Sequence, residues 1–270
     1  VKGLQGGHSG MDIIKGLGNA NKLMNRLLNT GLQSGLRIAE IDGGGLRNAI
    51  PRESLAIVTI TSEGKTEILK ALETEAENIQ LEYRTLEPNL SVEITKSGDA
   101  RKVIAEKAQK EIVLALAAAH NGVYRMSPEI TGLVEASNNI ANVTIKDGKA
   151  EIKCLTRSSV ESSKDDLAAS LRAAFELAGF DVSLSGEYPG WAPNRDSAIL
   201  KTLDGIYQDM FHEQADIAAC HAGLECGIIG SHYPKLDMIS FGPTIRGAHS
   251  PDERASISSS QKYWKFLLEV

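Results

Sequence analysis

The chain has no basic excess, no long apolar run and few cysteines, and each shortage closes off a class of function. Its 270 residues carry 29 Lys and Arg against 35 Asp and Glu, a formal charge of -6 at pH 7. A nucleic-acid surface needs clustered Lys and Arg, so no nucleic-acid partner is expected. The longest apolar stretches, such as residues 112–119, fall far short of the ~20 residues that span a bilayer, and no membrane partner is expected. The first residues have no basic region followed by an apolar run and do not read as a secretory leader. Cys154, Cys220 and Cys226 form no C-x-x-C pair. They suit small, reduced, buried thiols in a cytosol-like compartment, so a cytoplasmic protein is expected. An initial Met is missing too. The chain opens on Val1-Lys2-Gly3-Leu4, which reads as the middle of a strand and so as a piece of a longer protein.

What is present is ordinary for a globular chain: 42% hydrophobic and 24% charged residues, enough for one large or two medium domains. Apolar residues at helical spacing predict a helix over 12–28, with Ser9 as N-cap and Gly31 as C-cap. Further helices are expected over 65–86, 101–120 and 165–178. Segments rich in β-branched residues predict strands over 36–41, 55–61, 90–95, 131–146 and 149–156. Asp147-Gly148 between the last two is a hairpin turn. The order resembles two split βαβ units of ferredoxin type side by side. Composition changes at residues 187–194, which hold two prolines and two large aromatics, and a domain boundary is placed there. Beyond it helices over 197–211, 223–230 and 259–268 alternate with strands over 216–220 and 236–241. That is an α/β pattern on a stretch short for an independent domain, as if a further part completed its sheet.

Five places could carry chemistry. His8 sits in Gly6-Gly7-His8-Ser9-Gly10, a turn before a helix start, where free N–H groups favour an anion or a polarised oxygen. A histidine on a flexible turn is the plain alternative. Asn48 follows Gly43-Gly44-Gly45, and its amide could donate to a developing oxyanion, although asparagine is also common in turns for local reasons. Arg157 ends a strand and suits bidentate capture of a carboxylate; a surface arginine is the default. His221 and Glu225 lie four apart beyond a strand end, compatible with metal ligation or with a solvated pair. His249 stands in a proline-bounded loop beside carboxylates and would need partners to hold zinc. His120, His212 and His232 read as structural or surface residues.

Taken in order, several segments resemble one family, the bacterial aminoacyl-histidine (Xaa-His) dipeptidases. They are the opening stretch through Gly10 with Gly16-Leu17-Gly18-Asn19-Ala20-Asn21, then Thr156-Arg157-Ser158-Ser159, Tyr188-Pro189-Gly190-Trp191, His221-Ala222-Gly223-Leu224-Glu225-Cys226-Gly227 and His249-Ser250-Pro251-Asp252-Glu253-Arg254. The resemblance covers essentially the whole chain. It implies a metallopeptidase with two zinc ions, other divalent metals being admissible, and a lid of two ferredoxin-like units inserted in an α/β catalytic domain. On it, residues 1–184 are the lid or dimerisation-type domain and 185–270 the returning part of the catalytic domain.

The resemblance also implies roles. His249 would be a zinc ligand, His8 would stabilise the oxyanion, and Asn48 would contact the oxyanion or substrate. Arg157 would hold the dipeptide carboxylate and Glu225 would face its amino end. The family's other metal ligands and its general base match nothing in this chain. This stretch alone is therefore expected to be inactive and to lack a complete metal site. The intact parent would hydrolyse Xaa-His dipeptides, with a homodimer as an acceptable assembly. The alternatives are a non-catalytic interaction module on a peptidase scaffold, or another hydrolase of the clan such as a tripeptide aminopeptidase or amino-acid deacylase.

Overall fold

A computed structural model describes residues 1–98, 102–194, 196–219, 221, 225–247 and 253–270. In chain order the elements are β1 (Gly7–His8), α1 (Ala20–Leu32), β2 (Arg37–Gly44), β3 (Ala49–Ile50), β4 (Ser54–Thr59), α2 (Lys65–Tyr83), α3 (Glu106–Ala118), β5 (Gly122–Met126), β6 (Val134–Lys146), β7 (Lys149–Ser158), α4 (Glu161–Glu176), α5 (Ala198–Phe211), α6 (Glu225–His232), β8 (Ile245–Arg246), β9 (Arg254–Ala255) and α7 (Ile257–Glu269). The chain is of mixed α/β type.

The helix expected from residue 12 starts later. A single 3-10 turn, Ile13–Lys15, ends at Gly16. Helix α1 then begins behind Asn19, whose side-chain oxygen accepts from Asn21 N and Lys22 N. Asparagine is as good an N-cap as serine, and Ser9 is engaged elsewhere: its N–H donates to Asn48 O at 2.8 Å. Gly31 does not cap the helix; it lies buried inside α1, with Leu36 packed over it.

Five strands form one antiparallel sheet. Strand β6 is its spine. The C-terminal half of β6 pairs with β2, its N-terminal half with β5, and β7 runs along its other edge. Strand β4 completes the sheet beside β2. The β6–β7 hairpin turns on Asp147 and Gly148, both at positive φ, as that dipeptide predicts. Helices α1 to α4 bury their apolar stripes against this sheet. Leu23, Leu27, Ile68, Ile79, Val113 and Leu167 meet Ile38, Ile140 and Val143 there. Two helix–hairpin–helix units, α1-β2-β4-α2 and α3-β6-β7-α4, thus share one sheet, in keeping with the doubled organisation read from the element order.

Not every expected strand forms. Residues 90–95 contribute one bridge, Ser91 to Lys2. Residues 216–219 and 236–241 carry no strand. A strand needs a neighbour for its N–H and C=O groups, and among the described residues none lies beside these segments. In the same region α5 and α7 pack through Tyr207, Phe211 and Phe266, with Lys262 Nζ 4.6 Å above the Tyr207 ring. Cys154 is mostly buried, and burial pushes its thiol up to about 11, consistent with a reduced, unreactive role. Cys220 lies outside the described residues.

Gly44, at the β2–β6 junction, has φ +75, and a Cβ on it would stand 1.9 Å from Ala141 O. Gly44→Ala is expected to reduce stability by about 2–4 kcal/mol, combining a strained backbone with a clash in the sheet. A urea unfolding midpoint within error of the parent chain would contradict this packing.

Candidate functional site

The face of β6 turned away from the four helices carries Ser137 and Asn139, while Ala136 and Ile140 alternate onto the core face. Ser137 lies directly across from Arg157 on β7. Over this face fold two short segments. Strand β1 pairs with β3, bringing His8 opposite Ala49 and next to Asn48. Arg157 Nε donates to Ser9 Oγ at 3.4 Å. His8, Asn48 and Arg157, far apart in sequence, therefore form one cluster.

The histidine ring is oriented by its own loop. Nδ1 of His8 accepts from Gly10 N at 3.2 Å and from Met11 N at 3.1 Å. A nitrogen that accepts holds no proton, so the neutral ring carries its hydrogen on Nε2. Its backbone is held too: His8 N donates to Asp12 Oδ2 at 2.7 Å, and Asp12 pairs with Lys15. The turn is thus a stiff mount for an N–H donor.

His221 joins the cluster in a way its spacing from Glu225 did not signal. It is buried, 4% exposed, and its Nε2 lies 2.8 Å from Ser137 Oγ. Burial, reinforced by the charges of Arg157 and His8, lowers its pKa from 6.5 to about 4. At neutral pH it is an uncharged partner of Ser137, beside a permanent cation. Arg157, His221 and Arg47 line a common groove of about 800 Å³ that also runs along β7 and residues 180–190.

Glu225 is exposed at the first turn of α6. The helix is anchored two residues on, where a Cβ on Gly227 would stand 2.3 Å from Pro189 O. Gly190 in turn lies against the carbonyls of Ser158 and Ser159, and its N–H donates to Glu161 Oε1 at 2.5 Å. The segments around Arg157, Pro189 and Glu225 are stacked backbone on backbone, which only glycine allows. His249 lies outside the described residues. Among the described residues no group of three or more His, Cys, Asp or Glu could hold a metal ion, so these residues do not by themselves fit a two-metal centre.

Sequence reasoning passed over Asn139, which is buried, 1% exposed, and donates to both Arg47 O and Ala49 O. The available signal was the pair Asn138-Asn139 in mid-strand, where asparagine is disfavoured.

Residues 1–84 match the peptidase dimerisation domain of M20 type. The chain is also 40% identical over 272 residues to the cytosol non-specific dipeptidase of Escherichia coli (strain K12), a match covering 100% of this chain and 56% of that protein. The crystal structure of aminoacylhistidine dipeptidase from Vibrio alginolyticus superposes with a TM-score of 0.88 at 39% identity, over 99% of this chain and 55% of that one. The chain is a homologue of these dipeptidases and spans about half their length.

The low pKa of His221 has a definite sign. Between 6.5 and about 4 the unfolded chain takes up a proton that the folded chain refuses. The contribution of this group to stability is therefore complete above 6.5 and is lost as pH falls toward 4. His221→Gln should remove that part of the slope when stability is compared at pH 7 and pH 4.5. An NMR titration placing the His221 midpoint near 6.5 would refute its burial against Ser137.

Proposed function

We propose that this chain supplies the lid and part of the catalytic domain of a metal-dependent dipeptidase that cleaves Xaa-His dipeptides. The observation that carries the reading is the convergence of His8, Asn48 and Arg157 on one face of the sheet, through the β1–β3 pairing and the Ser9 hydroxyl. Residues 1–184 are the lid and dimerisation-type domain, and 185–270 belong to the catalytic domain.

The roles follow from donor chemistry. His8 Nε2–H and the Asn48 amide are donors suited to an oxygen that gains negative charge as the peptide carbonyl is attacked. Arg157 is a fixed cation with a planar fork that fits the C-terminal carboxylate of a dipeptide. Glu225, exposed on α6, faces the substrate ammonium group. Clamping both charged ends fixes substrate length and sets the carbonyl in place. His249 is a metal ligand in this reading. The remaining ligands of a two-zinc centre come from residues other than those described, so this chain alone is inactive. A cytoplasmic homodimer is the proposed assembly, supported by the dimerisation-domain match and by the cytosol enzyme among the relatives.

The non-catalytic reading has one observation of its own, the dimerisation-domain match at residues 1–84. Assays on the full product of the gene separate the two. Hydrolysis of carnosine-like dipeptides that stops on chelation supports the dipeptidase, and inert full-length protein that still dimerises favours the assembly module. His8→Ala should lower kcat by about 10²–10³ with KM little changed, the loss seen when one oxyanion donor is removed. Arg157→Ala should chiefly raise KM. A His8→Ala enzyme with parental kcat would end the role given to His8.

A further inference from the structure

Asn48 lies in a turn, and a turn residue points where its flanking peptide units allow. The carbonyls of Arg47 and Ala49, on either side of it, are held from below by a single side chain. Asn139 Nδ2 donates to Arg47 O at 3.1 Å and to Ala49 O at 2.7 Å, one hydrogen to the carbonyl on each side of Asn48. On the far side the carbonyl of Asn48 receives Ser9 N at 2.8 Å, which ties the same turn to the residue after His8.

The orientation of the Asn139 amide is not free. Its oxygen lies 3.2 Å from Asn19 Nδ2, whose two hydrogens are shared with Asn121 Oδ1 at 2.9 Å and Ile140 O at 3.1 Å. Asn19 is itself oriented, because its oxygen caps α1 by accepting from Asn21 N and Lys22 N. The cap therefore fixes Asn19, Asn19 fixes which way Asn139 presents its two hydrogens, and those hydrogens fix the turn. With 1% of Asn139 exposed, water cannot take over the two carbonyls if the amide is lost.

We infer that Asn139 is a positioning residue for the carbonyl-facing pair, holding Asn48 directly and His8 through Ser9. The inference rests on the roles proposed above for His8 and Asn48. It assigns to Asn139 no contact with substrate.

The test compares Asn139→Asp, Asn48→Ala and Asn142→Ala in the full product of the gene. Aspartate keeps the shape and the acceptor but has no hydrogens for the two carbonyls. Asn142 is the control, since its amide makes a bond of the same kind on the same strand, to Gly43 O at 3.1 Å, away from the 47–49 turn. Asn139→Asp is expected to lower kcat by about 10–100-fold with KM changed by less than about threefold, as for a misplaced rather than a missing group. It should also speed hydrogen exchange at the Ser9 amide. Asn142→Ala should leave both readouts near parental. Where Asn139→Asp does not accumulate as folded protein, Asn139→Gln displaces the amide by one methylene and should give the same kcat-selective loss. Equal kcat effects from the Asn139 and Asn142 variants, or an unchanged Ser9 exchange rate, would overturn the inference even if Asn48→Ala lowers kcat. If Asn48→Ala leaves kcat intact, the role proposed for Asn48 fails first and takes this inference with it.

Discussion

A buried side-chain amide must find partners, and on β6 that requirement organises the molecule. Burying an amide without compensation costs more than its hydrogen bond returns. Strand β6 carries Asn138, Asn139 and Asn142 in or beside the core. Their acceptors are backbone carbonyls outside β6: His120 O for Asn138, Arg47 O and Ala49 O in and beside the turn for Asn139, and Gly43 O on β2 for Asn142. The sheet therefore cannot reach its lowest energy until the 47–49 turn and the segment at His120 are in place. Folding the core and placing the turn that bears Asn48 are one event, not two.

Electrostatics then shape the cluster. Arg157 is always charged, and every titratable neighbour must accommodate it. His221 does so by staying neutral, bonded to Ser137 opposite Arg157. A protonated imidazole there would stand beside a cation in a site largely closed to water. The neutral ring leaves the charge of Arg157 uncontested in the groove. The same ring ties residue 221 to the sheet, so the C-terminal segment meets the sheet through a hydrogen bond and through the glycine contacts at Gly190 and Gly227.

Much of this was legible in the sequence where local physics decides. The helical stripe of α2 and the Asp147-Gly148 turn follow from spacing and turn chemistry. The cluster of His8, Asn48 and Arg157 was legible as a set of residues but not as a geometry. It depends on β1 and β3, strands of two residues each, too short to leave a periodic signal. Asn19 caps the helix and Ser9 does not: the Ser9 hydroxyl accepts from Arg157 Nε, a contact set by tertiary structure. The strand expected over 236–241, and the described part, 216–219, of the one expected over 216–220, failed for the opposite reason. Strand propensity is a statement about fit to a neighbouring strand, and it cannot supply the neighbour.

The division of labour between the two parts has a consequence for specificity on the proposed reading. His8, Asn48 and Arg157 are mounted on one sheet and move together, because Ser9 touches both the Asn48 turn and Arg157. Their mutual distance is therefore a property of the lid core. Glu225 sits on α6, outside that sheet, and its link to it passes through Gly227, Pro189 and Gly190 to the carbonyls after Arg157. The distance from carboxylate holder to carbonyl donors is then rigid, while the distance to the amino-end residue depends on how that glycine stack is seated. A site built this way is strict about the C-terminal residue of a dipeptide and more tolerant of the first. Tolerance would therefore be tuned at the 186–190 and 225–227 contacts and not within the lid cluster itself.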